Sequence, residues 1–139
     1  KYMSLENPQN NNSTESANAI KAELSLLIPK MKEADPSNHE LLESIEKTAA
    51  SLEQFIEAWQ LAEREKINAK FAAENKPIDP NELDEYLGLT IGQIKFILRH
   101  MKQSIESMKN GEGDEKFQWG QLIQDMVALE YELIDKNFN

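Results

Sequence analysis

Apolar residues recur at three- and four-residue spacing along most of the chain, and this period predicts helices rather than strands. The first stripe begins after Ser16, where a Ser/Thr cluster offers N-cap residues. We expect this helix to bend at Pro29, which lacks an amide hydrogen, and to stop by Asp35. The preceding segment is rich in Asn, Ser and Gln. We therefore expect residues 1–15 to form a flexible leader and residues 16–139 to form one helical domain.

The second predicted helix is unusually long. Ser37 and Glu40 have the spacing of a capping box, and no Gly or Pro intervenes before Asn75. An unbroken helix of about 37 residues would be roughly 55 Å long. Two stripe positions in its later half are charged, so the helix either breaks near residues 62–66 or protrudes to meet a second molecule. In the second case, the candidate self-association residues are Ile56, Trp59, Ile67 and Phe71.

Further cap signals divide the rest of the chain. Asp79 followed by Pro80 predicts the start of a short helix that Gly88 stops. Thr90 then begins the fourth predicted helix, which residues 110–111 (Asn-Gly) end. A fifth helix runs to about Lys136. The sequence therefore predicts an all-α fold, an antiparallel four-helix bundle with one short additional helix and a long second helix.

The fourth and fifth predicted helices carry the strongest apolar stripes. The fifth stripe is broader than a surface helix needs, so we expect that helix to be the most buried element. The stripe of the fourth helix contains Ile94, Leu98, Met101, Ile105 and Met108, and that of the fifth contains Trp119, Leu122, Ile123, Met126, Val127, Leu129, Leu133 and Ile134.

Composition removes several kinds of chemistry. The chain has no Cys, which excludes thiolate zinc clusters, disulfides and cysteine nucleophiles, and its two His exclude a multi-histidine metal centre. The carboxylates Glu82, Asp84 and Glu85 do not have calcium-loop spacing and are interpreted as a solvated acidic turn. No Gly-rich phosphate loop or nucleophile elbow is present. We predict a protein that is not an enzyme and has no catalytic residues, metal or cofactor.

The overall charge is strongly acidic. Lys and Arg number 15 against 25 Asp and Glu, giving a formal net charge of -10. This balance argues against nucleic acid or an anionic membrane surface as a general partner. No stretch approaches the roughly 18 apolar residues that a membrane-spanning helix needs. We therefore expect a soluble, cytoplasmic protein.

The fourth predicted helix departs from this acidic mean. It carries four bases beside its apolar stripe and only one acid, Glu106. In one interpretation the bases pair with acids of neighbouring helices. In the other they form a recognition face for an acidic partner, a nucleic acid or a phosphate-bearing ligand. These candidate partner-binding residues are Lys95, Arg99, Lys102 and Lys109.

His100 lies off the apolar stripe of the same helix. A histidine close to Lys102 on a helical bundle resembles a histidine phosphotransfer domain, which would use His100 as its phosphorylated residue. That family places Lys three residues after the His, followed by Gly, whereas Met101, Lys102 and Gln103 follow here.

The leading functional hypothesis is a non-catalytic protein–protein interaction module: an adaptor, chaperone, regulator or inhibitor of a partner protein. The absence of catalytic motifs, the long second helix and the uneven charge support it. A homodimer would follow if the second helix is continuous. The nucleic-acid or phosphate-binding module and the phosphotransfer bundle remain the alternatives.

Overall fold

Four α-helices account for nearly all of the described chain, which comprises residues 8–136 and residue 138 of a computed structural model, with side chains described from Ser16 onward. This part of the chain contains no strand, which confirms the all-α prediction. The helices are α1 (Pro8–Glu33), α2 (His39–Ala73), α3 (Pro80–Lys109) and α4 (Glu115–Lys136).

α1 begins earlier than the sequence predicts. It starts at Pro8 rather than near Ser16, so residues 8–15 of the predicted leader are helical. Proline fits this position because the first helical residue needs no amide hydrogen for the helix. Residues 1–7 lie outside the described chain. The helix also continues through Pro29 and ends at Glu33.

α2 is one continuous helix of 35 residues, so of the two alternatives the break near residues 62–66 is wrong. Its N-cap is Asn38, whose side chain accepts from the Leu41 amide at 3.0 Å, and not Ser37. The Ser37 hydroxyl instead donates to the Asp35 carboxylate at 2.5 Å, which lowers the pKa of Asp35. At the other end Asn75 adopts a positive φ of 55°, a conformation that Asn tolerates and that closes the helix.

α3 is a single helix where the sequence predicts two, a short helix and a longer one. Asp79 caps it as expected, accepting from the Asn81 amide at 2.9 Å. The helix then continues through Gly88, so no separate short helix exists. Thr90 is an interior residue whose hydroxyl bonds the Tyr86 carbonyl at 3.1 Å. One buried stripe crosses the predicted break and explains the continuity: Leu83, Leu87, Ile91 and Ile94.

The four helices share one hydrophobic core, and each contacts two others. α1 packs on α2 and α4, and α3 packs on the same two helices. The indole N–H of Trp119 in α4 donates to the buried Met31 carbonyl of α1 at 3.0 Å. α4 is not the most buried element, because α3 contributes ten buried residues against five from α4. Val127 and Ile134 of the predicted α4 stripe are exposed.

The later half of α2 does not stand free of the rest of the molecule. The first turns of α3 lie beside it, and Arg64 of α2 forms an ion pair with Asp84 of α3. Leu83 and Leu87 are buried at this end of the molecule. The later half of α2 therefore contacts α3 of the same chain at Arg64, while most of residues 65–73 are exposed.

Candidate functional site

Three of the four candidate partner-binding bases contact α2. We call the four bases the basic row: Lys95, Arg99, Lys102 and Lys109. Lys109 donates to both carboxylate oxygens of Glu46, at 2.6 and 2.8 Å. Lys102 lies 3.6 Å from Glu53. The three contacts of this α2–α3 seam are Glu46 with Lys109, Glu53 with Lys102, and Gln60 with Lys95 at 3.1 Å.

The seam has a seven-residue repeat on both helices, in opposite directions. Seven residues are two helical turns, so the same side of each helix returns to the contact every 10.5 Å or so. Lys102 and Lys109 thus meet acids of their own chain, as one of the two interpretations expects, whereas Lys95 meets the neutral Gln60. Exposed ion pairs of this kind are worth only about 0–1 kcal/mol each.

Arg99 differs from the other three bases. It is exposed and forms no ion pair within the part of the chain that the structure describes. It lines a cleft of about 310 Å³ that also contains Glu53 and Glu57. A nucleic-acid or phosphate-binding face built on this row stays a prediction, and the surrounding carboxylates oppose it.

The four candidate self-association residues occupy different environments. Ile56 is only 1% exposed and belongs to the core. Trp59 packs against that core and meets Phe138 edge-to-face, with ring centroids 5.1 Å apart. Ile67 and Phe71 are half-buried in the later half of α2. Because Ile56 and Trp59 already serve the single chain, only the last two offer surface to a second copy.

His100 forms the most specific polar contact between α3 and α4. Its Nδ1 lies 2.7 Å from the Asp125 carboxylate, and the His100 side chain is 39% exposed. Burial raises the pKa of Asp125, while the hydrogen bond and charge of His100 oppose that rise. The arrangement orients the imidazole through Nδ1 and leaves Nε2 as its second reactive nitrogen.

Among the residues that the structure describes, no group of three or more His, Asp or Glu side chains is placed to hold a metal ion. A groove of about 790 Å³ lies between α1 and α2 and is lined mainly by small side chains such as Ala19, Ser51 and Ala58. None of the predicted partner-binding residues lies in that groove.

A row of exposed apolar side chains on α3 is the feature that sequence reasoning missed. Tyr86 is 60% exposed, Leu89 77% and Phe96 60%. Spacings of three and seven residues place them on one face of the helix. We call these three residues the α3 row. The predicted break at Gly88 placed Tyr86 in a short helix and left Leu89 in the connection before the next helix, which hid the pattern.

The α3 row contains a hole of helical geometry. Gly92 lies three residues after Leu89 and four before Phe96, and Gln93 completes the i, i+3, i+4, i+7 set. Four residues at this spacing surround the space that receives one side chain of a facing helix. A Cβ added at Gly92 would meet nothing within 4 Å, so the floor of the hole is open.

Acidic side chains border the α3 row. Glu82 and Glu85 are exposed in the first turns of α3, and no base occurs between Pro80 and Ile94. The other end of the row differs, because the exposed base Arg99 follows Phe96 by three residues. An apolar row with acidic side chains at its N-terminal end is thus the candidate binding surface.

No helix within the described residues is both long and apolar enough to cross a membrane. Comparisons of the chain with protein-family models, with curated proteins and with solved structures find no match.

Proposed function

We propose that this protein is a non-catalytic protein–protein interaction module, and that its partner covers the α3 row. The observation that carries the proposal is the exposure of three large apolar side chains on one face of one helix. Single exposed apolar residues are common, but several on one face mark interaction surfaces. An adaptor, chaperone, regulator or inhibitor would each use such a surface.

The proposed framework is an antiparallel four-helix bundle. Each helix packs mainly on two others, and the contacts of the α2–α3 seam support one antiparallel pair. The α1–α4 contacts support a second antiparallel pair, since Trp119 near the start of α4 meets Met31 near the end of α1, while Ser25 bonds Glu130 further along. A bundle of this kind holds the α3 row on a rigid helix.

Capture from an extract of the source cells tests the function. The full-length chain is immobilised as wild type, as Leu89→Asp with Phe96→Asp, and as a control carrying Leu26→Asp with Phe117→Asp. The control residues are 53% and 62% exposed, on α1 and α4. We expect a partner that binds the wild type and the control but not the α3 variant. Equal capture by all three would refute the proposal.

A homodimer through the later half of α2 belongs to the same proposal. Ile67 and Phe71 supply its remaining partly exposed apolar surface, and Leu61 is exposed one to three turns before them. Sedimentation of the intact chain at micromolar concentration measures this directly. A clean monomer would remove the dimer and leave the α3 row as the interaction surface.

Phosphotransfer through His100 is a second candidate. The 2.7 Å contact with Asp125 favours it, because a carboxylate at Nδ1 orients the ring and leaves Nε2 to accept a phosphoryl group. Incubation with a panel of phosphodonors, followed by analysis for acid-labile phosphate on His100, tests it. A protein that stays unlabelled would exclude those donors and leave the interaction module.

A further inference from the structure

We propose that the α3 row binds a basic amphipathic α-helix of a partner protein, an inference that rests on the interaction function proposed above. The partner helix inserts one large apolar side chain into the hole formed by Leu89, Gly92, Gln93 and Phe96. Its Lys and Arg residues lie against the acidic border of the row.

The geometry selects a helix as the bound element. Nine residues lie between Tyr86 and Phe96, which are about 15 Å apart along the α3 axis. A partner helix with apolar side chains at i, i+3 or i+4, and i+7 has an apolar stripe about 10.5 Å long, which fits within that length. Gly92 lets the partner side chain descend to the α3 backbone between Leu89 and Phe96, because no atom occupies the space above it.

The charges select a basic partner. Glu82 and Glu85 are exposed and flank the N-terminal end of the row. Removing these carboxylates from water against an apolar or acidic partner would cost free energy, whereas Lys or Arg neutralises them. The net charge of -10 adds attraction at longer range for any cationic segment.

The same border disfavours an anionic membrane and a second copy bound in the parallel direction. A second copy whose α3 ran parallel to this one would bring Glu82 and Glu85 of both copies together, and a copy bound in the antiparallel direction is distinguished by the test below. An anionic membrane would meet the same carboxylates with its own negative charge. A basic amphipathic helix is the occupant that satisfies both the apolar row and the acidic border.

The test uses a synthetic helical peptide of Leu and Lys, with Leu on one face, and full-length protein. Comparison peptides have the same composition in scrambled order, or Glu in place of Lys. The Gly92→Leu substitution fills the hole while favouring the helix, so failure to fold does not explain lost binding. Gly120→Leu is the matched control, since Gly120 is also an exposed helical glycine with nothing within 4 Å of an added Cβ.

We expect the Leu/Lys peptide to bind the wild type and Gly120→Leu equally, and to bind Gly92→Leu at least about 10-fold more weakly, as loss of a central contact predicts. Both comparison peptides should bind weakly. Charge placement is tested by Glu82→Gln with Glu85→Gln, against Glu43→Gln with Glu112→Gln, which remove the same net charge elsewhere on the exposed surface. The first pair should weaken binding more than the second.

Three results would overturn the proposal. They are equal peptide affinity for Gly92→Leu and wild type, equal binding of the scrambled peptide, and binding to anionic vesicles or to a second copy that Gly92→Leu abolishes. If capture from the cell extract still depends on Leu89 and Phe96, the interaction function survives and only the basic-helix chemistry is wrong. If capture is also independent of the row, both proposals fail.

Discussion

Replacing two neighbouring leucines of α3 by alanine should have opposite consequences for stability. Leu87 is 0% exposed and Leu89 is 77% exposed, although only one residue separates them. Leu87→Ala removes a fully buried side chain and leaves a cavity, which typically costs about 2–5 kcal/mol. Leu89→Ala removes little buried surface and places a better helix former in a helix, so its effect should stay within about 0.5 kcal/mol.

Urea unfolding followed by far-UV circular dichroism measures both variants against the wild type. We expect a lower midpoint with an unchanged m-value for Leu87→Ala, and a melting temperature lower by roughly 10 °C for a chain of this size. Leu89→Ala should coincide with the wild type. Similar losses in both variants, or a larger loss for Leu89→Ala, would refute the continuity of α3 through Gly88 and the orientation of the α3 row.

Three further predictions concern single positions. Gly88→Ala should stabilise the protein by about 0.5–1 kcal/mol in thermal unfolding, because the added Cβ meets nothing within 4 Å, whereas Gly111→Ala should destabilise it by about 1 kcal/mol because its φ is +69°. Trp119→Phe should cost about 1–3 kcal/mol in urea unfolding, since it shrinks a buried side chain and leaves the Met31 carbonyl of α1 with only the 3.3 Å bond from the Ala34 amide. His100→Gln should raise the pKa of Asp125 further in a carboxyl NMR titration, because it removes the interactions that oppose burial. Burial raises the pKa of Asp125 in the folded protein above the usual 3.8, so ionising this carboxyl lowers the free energy of unfolding. Stability should therefore fall as the pH rises through the folded pKa and return as the pH falls through it.

The sequence correctly predicted helix ends that depend on a few neighbouring residues. Asp79 caps α3, and α3 ends at Asn110 and Gly111, because cap chemistry acts within one turn. Ser37 was the wrong cap by one residue, since Asn38 offers equivalent chemistry and the packing of α2 decides between them. The stripe of the fourth predicted helix was also right, and all its members are buried: Ile94, Leu98, Met101, Ile105 and Met108.

The predicted break at Gly88 was wrong because the helix-stopping tendency of glycine was considered without the buried residues on either side of it. A glycine in a helix costs about 1 kcal/mol, whereas burying a leucine contributes about 1.5–3 kcal/mol. Leu87 and Ile91 are both 0% exposed and sit four residues apart across the supposed break. The hydrophobic period thus continues through the glycine, and following it would have revealed the α3 row as one surface.

The partners of the basic row depend on how two helices align. Lys109, Lys102 and Lys95 meet α2 at seven-residue intervals, but only the antiparallel register brings Glu46 opposite Lys109. The sequence left two interpretations open because that register is set by core packing and by the connection between α2 and α3. The same limit applies to His100, whose neighbour Asp125 lies 25 residues away on another helix.

Energetics explain why the apolar side of α3, and not its basic side, is the better candidate for recognition. The pairs of the seam are worth only about 0–1 kcal/mol each, so their pairing alone would not prevent an acidic partner from recruiting the lysines. Such a partner would still have to replace contacts that Glu46 and Glu53 already provide, and its net gain would be small. The α3 row has no such competitor among the described side chains, since its three members remain at least 60% exposed. Burying each contributes about 1.5–3 kcal/mol toward the entropy lost on association.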